Sequence, residues 1–150
     1  MELFVEKKIA CSRKIYLTYG GKIIFYVVHI KNGVLVVNAQ NHENELTIKE
    51  GGWFNIKYSV VKESEIFNFK VISYFRCHYQ FASDTNTYEI FGHKESKYSI
   101  IENGLQIGSF IEYSLVTQYK ILYQIECNSD ANIQLIFSFL LVLHYRDENN

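Results

Sequence analysis

The sequence predicts a mainly β fold: a closed antiparallel barrel of about twelve strands around one buried C-terminal hydrophobic α-helix. Three observations predict it. Turn-forming residues recur about every ten residues, aromatic residues are abundant, and one long apolar run occupies positions 130–147. The chain has 150 residues, the usual length of one domain, and we expect a single domain over 1–150.

Aromatic residues make up 16% of the chain, as twelve tyrosines, eleven phenylalanines and one tryptophan. Such side chains pack well on a pleated surface and favour strands over helices. Proline is absent, which excludes polyproline linkers. The composition therefore favours one sheet-rich core.

Turn-forming residues separate the predicted strands. Asn-Gly is the strongest short hairpin signal, because both central positions of a type I′ turn need a positive φ. Regular spacing of this kind is typical of a sandwich or a barrel, and so many strands must curl or close to avoid exposed edges. The predicted turns are Gly20-Gly21, Asn32-Gly33, 41–45, Gly51-Gly52, 62–65, 83–87 and Asn103-Gly104.

Two stretches alternate as a strand with one buried face does, 53–61 (WFNIKYSVV) and 118–127 (QYKILYQIEC). The runs 23–28 and 34–37 are apolar on both faces, which predicts that other parts of the chain cover their outer side. The predicted inward side chains are Phe54, Ile56, Tyr58 and Val60 in the first stretch and Tyr119, Ile121, Tyr123, Ile125 and Cys127 in the second.

The run DANIQLIFSFLLVLHYRD at 130–147 predicts a helix over about 131–145. Asn128, Ser129 and Asp130 are candidate N-caps for it. At 1.5 Å per residue the helix would be about 22 Å long, shorter than the roughly 30 Å hydrocarbon layer of a bilayer. We therefore expect no transmembrane segment. A long buried strand is the alternative.

The predicted helix is apolar on nearly all sides, and only Gln134 and Ser138 form a thin polar stripe. A helix of this kind is buried in a protein core. A barrel wider than eight strands needs something inside it. The sequence therefore predicts strands wrapped around this helix.

The last third of the chain resembles the C-terminal end of the tubby-like superfamily. The resemblance covers about 98–147: YSIIENGLQIGSF, then QYKILYQIEC, then a polar turn ending in Asp130, then the apolar run closing on Arg146 and Asp147. This superfamily includes tubby C-terminal domains, phospholipid scramblases, plant LURP-one-related proteins and small bacterial relatives. The resemblance implies a twelve-stranded barrel that encloses a central hydrophobic helix.

The resemblance also bears on lipids. Tubby-type domains bind phosphoinositides through basic residues, but those positions are not matched in this sequence. Phe137 and Phe139 are bulkier than the residues common in the family's central helix. The chain also lacks the proline-rich, cysteine-rich and acidic calcium segments of scramblases, so we do not expect phospholipid scrambling.

Charge and cysteine content limit the partners and the compartment. A net charge of -1 and a pI of about 6.5 disfavour nucleic acid. Cys11, Cys77 and Cys127 are an odd, widely spaced set, which favours reduced thiols over a disulfide or zinc framework. The first residues lack a secretory signal. We therefore expect a cytoplasmic location.

No residue pattern predicts catalysis. The histidines at 29, 42, 78, 93 and 144 lack the spacing of metal ligands, and packing or surface roles are expected for them. The pairs Glu43 with Glu45 and Glu63 with Glu65 fall in solvated turns, where their pKa values would not suit acid catalysis. We expect no enzyme, no catalytic or metal-binding residue and no cofactor.

Basic residues are the remaining candidates for a binding site. Lys7, Lys8, Arg13 and Lys14 lie near the start, and His93, Lys94 and Lys97 lie around one turn, where barrel loops could meet as an anion site. Nearby acidic residues dilute both groups and favour a plain solvated surface. Those acidic residues are Glu2, Glu6, Glu89 and Glu95.

Three functions fit these observations. The first is a non-enzymatic intracellular binding or scaffold module for a protein partner or ligand, with its ligand-binding residues unknown. The alternative is a peripheral phosphoinositide or anionic-lipid binding domain. The third is a lipid-handling protein that uses a cavity in the barrel, which a central helix would disfavour.

Overall fold

The computed structural model describes residues 1–7, 14–52, 55–113 and 121–148. Within them the chain forms twelve strands, one short 3-10 turn at Lys94–Ser96 and one α-helix. The elements are β1 Glu2–Lys7, β2 Ile15–Tyr19, β3 Lys22–Ile30, β4 Gly33–Asn38, β5 Asn44–Gly51, β6 Lys57–Lys62, β7 Glu65–Ser73, β8 His78–Ala82, β9 Thr87–Gly92, β10 Lys97–Glu102, β11 Leu105–Glu112, β12 Ile121–Cys127 and α1 Ile133–Glu148.

The twelve strands form a closed antiparallel barrel. Each strand pairs with its neighbours in sequence, and β1 closes the barrel by pairing with β12. At this seam Leu3 lies opposite Ile125 and Val5 lies opposite Tyr123. Closure leaves no sheet edge for another strand to add to. The predicted fold class is confirmed.

Alternating side chains point into the barrel, as the sequence predicts. Tyr58 and Val60 are buried in β6, and Tyr123, Ile125 and Cys127 are buried in β12. The prediction for Ile56 is wrong, because β6 begins at Lys57, opposite Gly51 of β5, and leaves Ile56 48% exposed. The predicted inward residues Phe54 and Tyr119 lie outside the described residues.

The predicted hairpins form, with one shift. Gly20 and Gly21, and also Asn103 and Gly104, have the positive φ expected of them. At 32–33 the two-residue loop is instead Lys31 with Asn32, since Ile30 pairs with Gly33. Gly33 begins β4, where any side chain would collide with the carbonyl oxygen of Ile48. Close approach of two strands therefore explains this glycine.

The prediction that other parts of the chain cover the outer face of 23–28 is wrong. Ile23 is 42% exposed and Val28 is 40% exposed, because the outer face of β3 meets solvent. In β4, by contrast, Val34, Val36 and Val37 are buried.

Helix α1 begins two residues later and ends three residues later than predicted. Its N-cap is Asn132, whose Oδ1 accepts a hydrogen bond from the Leu135 N–H at 3.2 Å. The predicted caps Asn128, Ser129 and Asp130 are wrong. They lie in the exposed connection that carries the chain from the end of β12 into the barrel, where the Ala131 N–H donates to the Asn128 carbonyl.

Helix α1 fills the barrel. All residues from Leu135 to Tyr145 are buried, and this run covers every side of the helix. The Phe139 ring packs on the rings of Phe67, Phe81 and Tyr88, with centroids 5.7, 4.1 and 5.1 Å away. The Ser138 hydroxyl is satisfied by the Leu135 carbonyl at 2.6 Å. Across the described residues, no helix combines the length and hydropathy that membrane crossing requires.

Candidate functional site

The two ends of the barrel differ in charge. One end holds the first turn of α1 and the turns β2–β3, β4–β5, β6–β7, β8–β9 and β10–β11, and we call it the acidic end. Its turns and adjoining strand ends carry nine carboxylates and two lysines among the described residues. They are Glu2, Glu43, Glu45, Glu63, Glu65, Asp84, Glu102, Glu126 and Asp130, with Lys22 and Lys62.

The opposite end holds the last turn of α1 and the remaining strand connections, and we call it the basic end. Eight cations meet six carboxylates there in the described part of the chain. The cations are Lys7, Lys14, Lys31, Lys57, Arg76, Lys94, Lys97 and Arg146, and the carboxylates are Glu6, Glu50, Glu95, Glu112, Asp147 and Glu148.

An aromatic turn, defined as residues 74–77 between β7 and β8, projects from the basic end. Phe75 is 102% exposed, Tyr74 is 73% exposed and Arg76 is exposed. The turn is ordered by its own hydrogen bonds. The Arg76 N–H donates to Ser73 Oγ at 3.3 Å, and the Cys77 N–H donates to the Tyr74 carbonyl at 3.4 Å. The exposed ring is therefore held in place.

The turn between β9 and β10 lies beside the aromatic turn. The Gly92 N–H donates to the Cys77 carbonyl at 3.1 Å, and a Cβ on Gly92 would lie only 2.6 Å from the Cys77 Cβ. This close approach brings Lys94 and Lys97, which the sequence singled out, next to the aromatic turn. Glu95 lies 3.8 Å from the Lys97 ammonium and offsets part of that charge.

The described members of the other predicted basic group, Lys7 and Lys14, belong to the ends of β1 and β2, which do not adjoin β8 or β9. Lys7 makes an ion pair with Glu148 at 3.3 Å, at the end of α1. Lys14 is exposed. The predicted members Lys8 and Arg13 lie outside the described residues.

Arg146 connects α1 to the aromatic turn. Its guanidinium carbon lies 5.7 Å from the ring centre of Tyr74 and 5.2 Å from that of Tyr79. Both distances are in the range of cation–π attraction. Arg146 Nη1 is also 3.6 Å from Asp147 Oδ1. One cation thus contacts both the turn and a carboxylate of α1.

A small cavity lies at the same end, between α1 and the barrel wall. Its volume is about 30 Å³, and Glu112, Tyr113, Leu122, Tyr123, His144 and Asp147 line it. Burial raises the pKa of Glu112, although a hydrogen bond from Tyr98 opposes that shift. Burial also raises the pKa of Asp147, against the opposing charges of Arg146 and His144.

The acidic end also carries a cleft of about 840 Å³. Glu65 stands at its side and accepts hydrogen bonds from Ser83 Oγ at 2.6 Å, Thr85 Oγ1 at 3.0 Å and Asn86 Nδ2 at 2.8 Å. The Ser83 and Asn86 hydrogen bonds lower the pKa of Glu65. The predicted pair Glu63 and Glu65 thus flanks a turn, and Glu65 organises the neighbouring one.

The histidines serve local contacts. His78 Nε2 lies 2.6 Å from Glu89 Oε2, and the His78 ring stacks on Phe91. His144 lies 3.1 Å from Glu148. Cys77 and Cys127 are free thiols, and Cys11 is outside the described residues. Among the side chains that the structure describes, no three of the His, Cys, Asp and Glu type could together hold a metal ion.

Sequence reasoning missed the aromatic turn, Arg146 and the carboxyls Glu112 and Asp147. One signal could have located the turn. The predicted turns at 62–65 and 83–87 leave a gap nearly twice the usual spacing of about ten residues, so another turn was needed near its middle. No local signal indicates that Glu112 and Asp147 meet, because only barrel closure around α1 brings them together.

Compared with protein-family models, curated proteins and solved structures, the chain has no match. The relationship to the tubby-like superfamily therefore stays a prediction.

Proposed function

We propose that this protein is a non-enzymatic cytoplasmic binding module that docks its basic end on an anionic phospholipid membrane. The observation that carries this proposal is the aromatic turn, where a fully exposed Phe75 stands between Tyr74 and Arg76 on an ordered hairpin. Aromatic and basic side chains together suit a membrane interface, where the rings meet apolar chains and the cations meet phosphate.

The expected affinity is modest. Transfer of Phe75 out of water gains about 1.5–3 kcal/mol. Arg76, Lys94 and Lys97 each gain about 1 kcal/mol near an anionic surface, less the effect of Glu95. The sum of about 5 kcal/mol corresponds to a Kd on the order of 0.1 mM. Such binding is reversible and falls steeply with added salt.

Three observations favour a membrane over a protein partner. Phe75 projects from a turn instead of lining a groove, and a lipid surface needs no shape-complementary cavity. The barrel is acidic at its other end, so an anionic surface attracts one end and repels the other. The tubby-like resemblance also supports lipid binding. A lipid-carrying cavity is disfavoured because α1 fills the barrel.

Co-sedimentation with phosphatidylcholine vesicles, with and without 30% phosphatidylglycerol, tests the proposal. Binding is expected only on the anionic vesicles and should weaken with salt. Phe75→Ala should reduce the affinity roughly tenfold to hundredfold, and Arg76→Ala with Lys94→Ala should reduce it further. The matched control is Leu105→Ala, since Leu105 is 74% exposed at the acidic end and should not contribute.

Equal binding of wild-type protein and the Phe75→Ala variant would overturn the membrane proposal. Absence of vesicle binding, together with a purified protein partner that is lost on Phe75→Ala, would assign the same turn to a protein interface.

A further inference from the structure

Two carboxyls share the cavity behind the proposed docking surface. Glu112 ends β11 and Asp147 lies in the last turn of α1, and both line the cavity of about 30 Å³. Its volume suffices for a single water molecule. The two groups are brought together only by closure of the barrel around the helix.

The charged and titratable groups around this pair come from every neighbouring element. From β10 the Tyr98 hydroxyl donates to Glu112, and from β12 Tyr123 lines the cavity. From α1, Arg146 and His144 face Asp147. From β1, Lys7 faces His144 but is paired with Glu148. Arg146, 3.6 Å from Asp147, is therefore a cation that acts directly on the pair.

Arg146 extends this cluster to the docking surface. It lies 3.6 Å from Asp147 on one side and over the Tyr74 ring on the other. The path from the cavity to the aromatic turn thus runs through Asp147, Arg146 and Tyr74 by direct contact. A change in the charge of Asp147 therefore changes its electrostatic attraction for the Arg146 guanidinium, which also packs on the Tyr74 ring of the aromatic turn.

We propose that Glu112 and Asp147 form a proton-sensitive pair that adjusts the affinity of the basic end for anionic membranes. This inference rests on the proposed function, which it extends by a means of regulation. Each proton taken up neutralises one carboxylate, so the net charge of this end of the barrel becomes more positive by one. Protonation of Asp147 also releases Arg146 toward the aromatic turn and the membrane.

The direction follows from burial. Because burial raises the pKa values of both carboxyls, they take up protons at a higher pH than exposed carboxyls do. Mild acidification should therefore strengthen membrane binding, about fivefold for each added charge. Burial lowers the pKa of His144, which also lines the cavity, and its protonation on acidification would act in the same direction.

Vesicle co-sedimentation at pH 7.5 and pH 5.5 tests the inference. Phosphatidylglycerol is suitable because its headgroup keeps its charge over this range. Wild-type protein should bind more tightly at pH 5.5, by up to about fivefold for each carboxyl that has taken up a proton. Glu112→Gln with Asp147→Asn should bind more tightly than wild type at pH 7.5 and should show a smaller change between the two pH values. Glutamine at 112 can still accept the Tyr98 hydrogen bond, which favours an intact fold.

The control is Glu95→Gln, which removes an exposed carboxylate at the same end. It should raise affinity at both pH values and keep the wild-type pH dependence. An unchanged pH dependence in the Glu112→Gln, Asp147→Asn variant, with circular dichroism showing a folded protein, would overturn the inference.

A measurement without lipid separates the two proposals. In protein with ¹³C-labelled tyrosine, the chemical shift of the Tyr74 ring should change between pH 7.5 and pH 5.5 in wild type. It should change less in the Glu112→Gln, Asp147→Asn variant. A constant Tyr74 signal in wild type would overturn the link through Arg146. If the Tyr74 ring signal changes with pH but vesicles bind at neither pH, the proposed membrane function fails while the proton-linked contact stands.

Discussion

Phe139→Ala tests whether α1 lies inside the barrel. Phe139 is 1% exposed and its ring contacts Phe67 on β7, Phe81 on β8 and Tyr88 on β9. Truncation of a buried phenylalanine costs about 3–5 kcal/mol through lost transfer free energy and the cavity left behind. The three neighbours are fixed in paired strands. The cavity cannot collapse easily, so we expect about 4–5 kcal/mol.

The expected loss is large compared with the 5–15 kcal/mol of stability typical of a domain. For a chain of this size, each kcal/mol shifts Tm by roughly 2–4 °C, so the variant should melt about 8–20 °C below wild type. Urea unfolding followed by circular dichroism gives the free energy of unfolding, and calorimetry gives the Tm. Phe139→Leu should cost less, about 1–2 kcal/mol, because it retains more of the volume.

Phe75→Ala is the matched control, since the same side chain is removed from a fully exposed position. Its effect on the free energy of unfolding should stay within about 0.5 kcal/mol. If Phe139→Ala costs less than about 1 kcal/mol, or no more than Phe75→Ala, the helix does not pack inside the barrel and the argument for its burial is wrong.

Three further substitutions test local contacts. Asn132→Ala should lower the free energy of unfolding by about 1 kcal/mol through loss of the N-cap, and an equal loss in Asn128→Ala would contradict this assignment. Glu65→Gln should destabilise at pH 7, because the lowered pKa of Glu65 gives stability that is present above its unfolded pKa and lost as pH falls through the folded pKa. Urea titrations at pH 7 and about pH 2.5 should show this difference shrink in acid, and a constant difference would refute the cause. Tyr145→Phe should be neutral or stabilising by up to about 1 kcal/mol, because the buried hydroxyl has no hydrogen-bond partner among the described residues, and a clear loss in Tm would reveal one.

Residue types at the turns made most of the barrel strands predictable. Asn103-Gly104 and Gly20-Gly21 tolerate a positive φ, so their turns could be located from residue type alone. The apolar surface of α1 is likewise a property of the sequence, and burial follows from it. By contrast, Gly33 serves the approach of Ile48 from another strand, which residue spacing does not reveal.

The errors share a physical cause. Asn128, Ser129, Asp130 and Asn132 are all good N-caps, and the path of the chain from β12 into the barrel selects the last of them. Phe75 was missed because phenylalanine usually belongs in a core. The strand pairing, with Ser73 opposite His78, is what places it in a turn. Strand pairing and the path of the chain, which residue type alone does not give, decided both cases.

The order of β12 and α1 along the chain has a consequence for synthesis. All twelve strands leave the ribosome before the helix that fills them, and β1 waits for β12 before the seam can form. At about 5–20 residues per second, synthesis of the sixteen residues of α1 takes roughly 1–3 s. During that interval the nascent strands expose their inner side chains to water. A chaperone that shields them would raise the yield of folded protein, and truncation before α1 would send the chain to aggregation or proteolysis.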